Sequence, residues 1–160
     1  MILFVIKRIT KWLDLKLKKQ TSMLSQLVYV SNRKKNCTEE EIEKILASCK
    51  KNNPPLEITG ILLYSETKFI QLVEGEYKVI NDLYDKIKND PRHDQSRLIS
   101  IGPIQQKAFP SWHMGSRKIA DNEVDFKTTI SPEDKEKFKD LVSGKEQSGQ
   151  KVLGLLKKFF

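Results

Sequence analysis

The stretch that decides the fold is Phe69-Ile70-Gln71-Leu72-Val73-Glu74-Gly75. It is rich in aromatic and β-branched residues and ends at a glycine, which predicts a β-strand. Gln71 stands in the middle, where an apolar residue is expected. A buried carboxamide needs hydrogen-bond partners, because leaving it unpaired costs roughly 1–3 kcal/mol. Gln71 therefore either faces solvent or meets another polar group in the core.

Strand and helix patterns alternate on both sides of this stretch. Thr38 and Glu41 form a capping box that begins one helix, and Asn53-Pro54 marks its end. The further predicted elements are strands at Leu24–Ser31, Ile58–Tyr64, Leu98–Ile101 and Trp112–Lys118 and a helix at Tyr77–Asn89. The order β-α-β-β-α-β plus one strand predicts an α+β, ferredoxin-like fold with two helices on one face of a mixed five-stranded sheet.

The chain divides into three parts by composition. Residues 1–22 are a basic extension, residues 23–120 form the predicted domain, and residues 121–160 form a C-terminal helical extension. Ser131-Pro132 begins a short helix, because serine caps well and proline suits the first helical turn. A linker rich in Gly, Ser and Gln follows at Ser143–Gln150. We expect Val152–Phe160 to be helical and docked on the domain or on a partner.

The net charge of +8 belongs to the ends of the chain. Residues 1–22 carry six basic side chains and one acidic one, whereas residues 23–130 carry sixteen basic and fifteen acidic ones. A nearly neutral domain predicts no direct nucleic-acid binding. Cys37 and Cys49 fit neither a zinc nor a redox spacing, which indicates reduced thiols in a cytoplasmic protein. With only two histidines, we expect no metal site.

The N-terminal extension has two interpretations. Ile2, Ile6, Ile9 and Leu13 recur at helical spacing among lysines, which is typical of a basic amphipathic helix on a membrane surface. The apolar run is too short to cross a bilayer, and the features of a secretory signal are missing. The alternative is a disordered extension, since Met23 directly precedes the first strand.

The sequence contains neither a phosphate-binding loop nor a dinucleotide-binding glycine motif. The candidates that remain are polar or large side chains within strands and at helix ends: Tyr29, Asn53, Gln71, Trp112 and Met114. Tyr29 and Gln71 belong to the first and third strands, which are central neighbours in this fold. They form either an ordinary cross-strand pair or one edge of a site for a planar ligand held between the helices.

Several segments in a fixed order resemble the BLUF family, sensors of blue light using FAD. The resemblance covers about residues 24–118. Its segments are Leu27-Val28-Tyr29-Val30-Ser31, Asn52-Asn53, Ile58-Thr59-Gly60-Ile61-Leu62-Leu63-Tyr64, Phe69-Ile70-Gln71-Leu72-Val73-Glu74-Gly75, Asp90-Pro91-Arg92-His93 and Phe109-Pro110-Ser111-Trp112-His113-Met114. One departure is Glu57, where the family often has glycine.

The resemblance implies roles for particular residues. Tyr29 matches the tyrosine that gives an electron and a proton to the excited flavin. Gln71 matches the glutamine whose amide rearranges between the tyrosine hydroxyl and the flavin. Asn53 matches the asparagine that holds the ring, and Trp112 and Met114 the pair that exchanges near the glutamine. Other implied FAD contacts are Ile45 and Ile87 on the two ring faces and Lys86, Asp90, Arg92 and His93 towards the ribityl-phosphate region.

The resemblance implies a cytoplasmic blue-light photoreceptor with non-covalent FAD that signals to an unidentified partner protein. We expect no enzymatic activity, since only about forty residues follow the domain, and a homo-oligomer. Two alternatives stay open. One is a ferredoxin-like domain that binds flavin or another small ligand without photochemistry, and the other is a membrane-surface adaptor that uses residues 1–20.

Overall fold

The computed structural model describes residues 6, 9–14, 23–121 and 131–160. Residues 9–14 are helical. The expectations for the rest of the N-terminal extension and for residues 122–130 lie outside the described residues. In the described part of the chain, no helix has the length and hydropathy needed to cross a membrane.

The described strands form one mixed sheet. They are β1 (Leu24–Arg33), β2 (Thr59–Tyr64), β3 (Lys68–Glu76), β4 (His93–Pro103) and β5 (Gly115–Lys118). Their order is β4-β1-β3-β2-β5. The first four strands pair antiparallel with one another, and β5 pairs parallel with β2. The predicted ferredoxin-like plan with an added strand is confirmed, and β1 and β3 lie side by side at its centre.

Both faces of the sheet are covered. Helices α1 (Glu39–Asn52) and α2 (Tyr77–Lys88) pack over Leu27 and Tyr29 of β1. Helices α3 (Pro132–Val142) and α4 (Gly149–Leu156) cover Val28 and Val30 on the other face. Successive residues of a strand point to opposite faces, so β1 contributes to two cores. The last turn, Lys157–Phe159, is a 3₁₀-helix that buries Phe159.

Three elements differ from the prediction by three residues or more at a boundary. Strand β4 has eleven residues instead of four, because it is an edge strand whose exposed polar side chains hide the pattern. Its register against β1 shifts twice, and Gln95 lies at φ 48°. Strand β5 begins only at Gly115, since residues 104–114 form a loop, and helix α4 begins at Gly149.

The turn before β2 has an unusual conformation. A short 3₁₀-helix, Pro54–Leu56, leads from α1 into Glu57, which lies in the left-handed region at φ 54°. Glycine adopts this conformation without steric cost, and glutamate does not. The departure of Glu57 from the family pattern therefore falls on a position where the backbone itself favours glycine.

Candidate functional site

A phenol and a carboxamide meet at the centre of the sheet. Tyr29 of β1 lies opposite Gln71 of β3 in the antiparallel register. The Tyr29 hydroxyl donates to Gln71 Oε1 at 2.6 Å, and Gln71 Nε2 donates to Met114 Sδ at 3.3 Å. All three residues are buried. Gln71 therefore has a polar partner in the core, as one of the two interpretations of its position required.

The surroundings of Tyr29 keep its phenol protonated. Burial raises the pKa of Tyr29 well above its usual value, and the nearby groups of Cys49, Tyr84 and Asp90 raise it further. The ring of Tyr84 lies 5.2 Å from that of Tyr29. Because the phenol is neutral, its hydroxyl is the donor and the Gln71 carbonyl oxygen is the acceptor.

A cavity of about 170 Å³ borders this pair between α1 and α2. Apolar side chains of the two helices line it, among them Ile45, Leu83 and Ile87, and Asn53 and Gln71 also lie on its wall. Nine of the eleven predicted site residues lie on its wall: Tyr29, Ile45, Asn53, Gln71, Lys86, Ile87, Asp90, Arg92 and His93. Apolar side walls with a few polar groups are typical of sites that hold a small molecule.

An ion pair between Asp90 and Arg92 lies on the wall of the cavity. Arg92 Nε donates to Asp90 Oδ1 at 2.9 Å, and Arg92 Nη2 donates to Asp90 Oδ2 at 2.6 Å. These bonds hold the pKa of Asp90 below its usual value, since they stabilise the carboxylate. Glu41 lies 3.6 Å from Arg92 Nη1. The guanidinium of Arg92 is half-buried, so this pair forms a fixed polar corner of the site.

His93 forms the floor beside Tyr29. Its Nδ1 shares a hydrogen bond of 2.8 Å with Ser31 Oγ, and its ring lies 4.5 Å from that of Phe69. Burial lowers the pKa of His93 to about 4, and the charge of Arg92 also lowers it, against the opposing effect of Asp90. The imidazole is therefore neutral near pH 7.

We expect His93 to make the fold sensitive to acid. Its folded pKa of about 4 lies below its usual value of 6.5, so the unfolded chain binds more protons between these values. The stabilising contribution is present above pH 6.5 and is lost as the pH falls towards 4, by about 2–3 kcal/mol. Urea unfolding of His93→Gln should lose this part of the pH dependence. A parallel pH dependence of variant and parent would contradict the prediction.

Trp112 and Met114 lie at different places. Met114 is buried against Gln71, whereas Trp112 is 39% exposed and lies outside the cavity. The Trp112 ring stacks on Phe109 at 5.5 Å, and a Cβ added to Gly115 would lie 2.5 Å from it. The structure therefore brings Met114, but not Trp112, to the glutamine.

The loop that carries Met114 is tied to the cavity wall. Asn53 Nδ2 donates to the His113 carbonyl, and Gly60 N donates to the Trp112 carbonyl at 2.9 Å. The side-chain nitrogen of Asn53 is thus bonded to the loop, and Asn53 also lines the cavity. These bonds link the end of α1 and the start of β2 to the position of Met114.

Two kinds of residue at the site were not predicted from the sequence. Cys49 and Leu83 line the cavity and could have been found, because each lies four residues from a predicted wall residue on the same helix. Glu74 is fully buried and accepts from Thr59 Oγ1 and from the backbone N–H groups of Ala108 and Phe109. No local pattern predicted that this carboxylate anchors the loop before β5.

Comparison with protein families identifies the domain. The model of the BLUF family, described as sensors of blue-light using FAD, matches residues 24–115. Since this match covers more than half of the chain, the chain belongs to the BLUF family.

Individual relatives agree with this assignment. The chain is 34% identical over 96 residues to the photoactivated adenylate cyclase subunit beta of Euglena longa, a match that covers 59% of this chain and 11% of that protein. The chain thus spans about a tenth of the length of that curated relative. The family is one of blue-light sensors, and the whole activity of that relative does not carry over to this chain.

Solved structures show the same fold. The dark-state structure of BlrB, a BLUF protein, aligns with a TM-score of 0.60 at 32% identity over 61% of this chain and 74% of that one. The photo-activated state of BlsA aligns with a TM-score of 0.66 over 86% of this chain and 94% of that one. At 22% identity, the likeness to BlsA supports the fold alone.

Proposed function

We propose that this chain is a blue-light receptor that binds FAD non-covalently in the cavity between α1 and α2. The observation that carries the proposal is the hydrogen bond of 2.6 Å between Tyr29 and Gln71 on the wall of that cavity. Bound FAD would supply the absorption of blue light and, once excited, a strong oxidant. The protein places the buried phenol of Tyr29 and the amide of Gln71 beside the cofactor.

The chemistry of the lining residues fits this cofactor. Ile45 and Ile87 offer apolar surfaces to the two faces of a flat ring, and the amides of Asn53 and Gln71 can hydrogen-bond its polar edge. Lys86 and Arg92 provide positive charge for the ribityl-phosphate part, with Asp90 and His93 beside them. The same lining would accept FMN, so the choice of FAD rests on the family.

The signal is proposed to arise in the Gln71 amide. When Tyr29 loses an electron, the proton on its hydroxyl has an acceptor, Gln71 Oε1, at 2.6 Å. A rotated or tautomerised amide would change the bond from Gln71 Nε2 to Met114 Sδ. Met114 directly precedes β5, so a changed bond to Met114 biases the position of this edge strand and of the loop before it. Such a population shift can be detected by the surface of a partner protein.

A yellow colour and a reversible spectral change test this proposal. The purified chain is expected to carry about one flavin per protein, released on denaturation, and blue light should shift its absorption to the red with recovery in the dark. A folded but colourless protein would contradict flavin binding. Bound flavin without a light response would instead favour the alternative, a regulatory domain that binds flavin without photochemistry.

The output of the receptor is proposed to be protein contact and not turnover. We infer an unidentified downstream protein partner and self-association into a dimer or larger homo-oligomer. Direct nucleic-acid binding is not proposed, since residues 23–130 are nearly neutral. Cys37 and Cys49 are free thiols, which supports a cytoplasmic location. A pull-down in light and in darkness would identify a partner by its light-dependent recovery.

A weak membrane contact through residues 1–20 is a second proposal, and one observation favours it. Ile6, Ile9, Trp12 and Leu13 are between 46% and 56% exposed and fall on one side of a helix. The basic charge around them suits an anionic lipid surface. The full chain should sediment with phosphatidylglycerol vesicles, and the double variant Ile9→Ser and Trp12→Ser should not. Equal sedimentation of the two proteins would remove the proposal.

A further inference from the structure

A second cavity, of about 570 Å³, lies beside the ends of β1 and β4 and the start of α4. Gln26 of β1 lines it, three residues before Tyr29. Residues an odd number apart on a strand point to opposite faces, so this cavity and the Tyr29–Gln71 pair lie on different sides of the sheet. Leu153 of α4 and the loop at Gln105–Gln106 complete its wall. Nothing in the flavin site accounts for it.

The cavity contains a buried amide without a partner. Gln26 is only 5% exposed, and within residues 23–121 and 131–160 its carboxamide makes no hydrogen bond. Within the same residues the hydroxyl of Ser100, which is half-buried, also makes no hydrogen bond. A Cβ added at Gly149 would lie 3.5 Å from Gln26 Oε1 and 3.6 Å from Ser100 Oγ, so these two polar atoms meet at one point of the wall. Both residues line the cavity, so their unpaired polar atoms are open to water or to a ligand.

The wall of the cavity carries no formal charge. None of its described lining residues is Asp, Glu, Lys, Arg or His, although 31% of the chain is charged. Besides Gln26 and Ser100, the amides of Gln105, Gln106 and Gln150 line it. Neither an anion nor a cation would find an opposite charge on this wall.

We propose that this cavity binds an uncharged small molecule that carries several hydroxyl and amide groups, a neutral N-acetylated sugar being the simplest example. Amide and hydroxyl groups of the protein can act both as donors and as acceptors, which suits a ligand with the same two groups. Ile104 and Leu153 give the apolar surface that the ring carbons of such a ligand need.

Gly102 offers a way to close the cavity without disturbing the core. It pairs with Gln26 in the β1–β4 register, so a side chain there points to the same face of the sheet. An added Cβ would meet no heavy atom within 4 Å. Gly154 of α4 is a matched control, because a Cβ there also meets nothing within 4 Å and Gly154 does not line the cavity.

The test measures binding of three sugars that differ in charge, using the side-chain amide signals of glutamine in NMR spectra of the full chain. N-acetylglucosamine is neutral, glucosamine is a cation and glucuronate is an anion. We expect N-acetylglucosamine to shift the Gln26 amide signals and to bind at least tenfold more tightly than the other two. Gly102→Leu should weaken this binding at least tenfold, and Gly154→Leu should leave it unchanged.

Three results would overturn the proposal. No shift with N-acetylglucosamine at millimolar concentration would mean that the cavity holds water only. Equal binding of the three sugars would contradict the neutral site, and equal binding by Gly102→Leu and the parent would place the ligand elsewhere. If Gly102→Leu does not fold, Gln26→Leu replaces it, with binding followed on the amide signals of Gln105, Gln106 and Gln150, and unchanged binding by that variant also counts against the proposal. Flavin content and the light response are measured separately, because they depend on the proposed flavin site on the other face of the sheet.

Discussion

Tyr29→Phe should abolish the light-induced red shift while leaving flavin bound. The substitution removes only the hydroxyl that donates to Gln71 Oε1 at 2.6 Å. Phenylalanine cannot supply the proton, and its ring is far harder to oxidise than a phenol. The aromatic ring stays in place against Tyr84 and His93, so the fold and the cavity should persist. Absorption spectra before and after blue light measure the loss, which we expect to be complete.

Tyr84→Phe is the matched control for this experiment. Tyr84 is also buried, and its ring lies 5.2 Å from that of Tyr29, but within the described residues its hydroxyl makes no hydrogen bond with Gln71. This variant should keep the red shift. A red shift of normal size in Tyr29→Phe, or its loss in both variants, would mean that the hydroxyl of Tyr29 has no special part in the response.

Glu74→Ala should lower the free energy of unfolding by about 3–5 kcal/mol. The carboxylate is fully buried and accepts from Thr59 Oγ1 at 3.2 Å, from Ala108 N at 2.6 Å and from Phe109 N at 3.1 Å. Its removal leaves two buried donors and one half-buried donor unpaired, and each such loss costs about 1–3 kcal/mol. The loop that it anchors leads to Met114, so the light response should also weaken. Urea unfolding followed by circular dichroism measures the stability.

Glu76→Ala is the control on the same strand. Glu76 is half-buried, its side chain makes no hydrogen bond within the described residues, and it does not cap α2 through its side chain. Its substitution should change the free energy of unfolding by less than about 1 kcal/mol. If both variants lost a similar free energy of unfolding, the effect of Glu74→Ala would come from its place in β3 and not from the hydrogen bonds that anchor the loop.

The centre of the fold was predictable because its local signals agree. The capping box at Thr38, the proline stop after Asn53 and the apolar strand around Gln71 each have a single structural interpretation. The edges of the sheet were not predictable, because edge strands carry exposed polar residues without a clear hydrophobic alternation. The underestimated length of β4 and the late start of β5 both follow from this.

The candidate site shows the same division. Tyr29 and Gln71 were predictable as neighbours, since the topology places their strands side by side. The outward position of Trp112 was not predictable, because it depends on Phe109, Phe160 and the missing side chain of Gly115, which come together only in the folded chain. The unpaired amide of Gln26 likewise becomes visible only when α4 is in place over β1 and β4.

The central claim is that the carboxamide of Gln71 carries the light response. Its most direct test is the light-minus-dark absorption spectrum of the purified, flavin-loaded chain beside that of Gln71→Leu. Leucine fills a similar space but can neither accept from Tyr29 nor donate to Met114. We predict a reversible red shift in the parent and none in Gln71→Leu at equal flavin content. A parent without a shift, or a shift that survives in Gln71→Leu, would contradict the account.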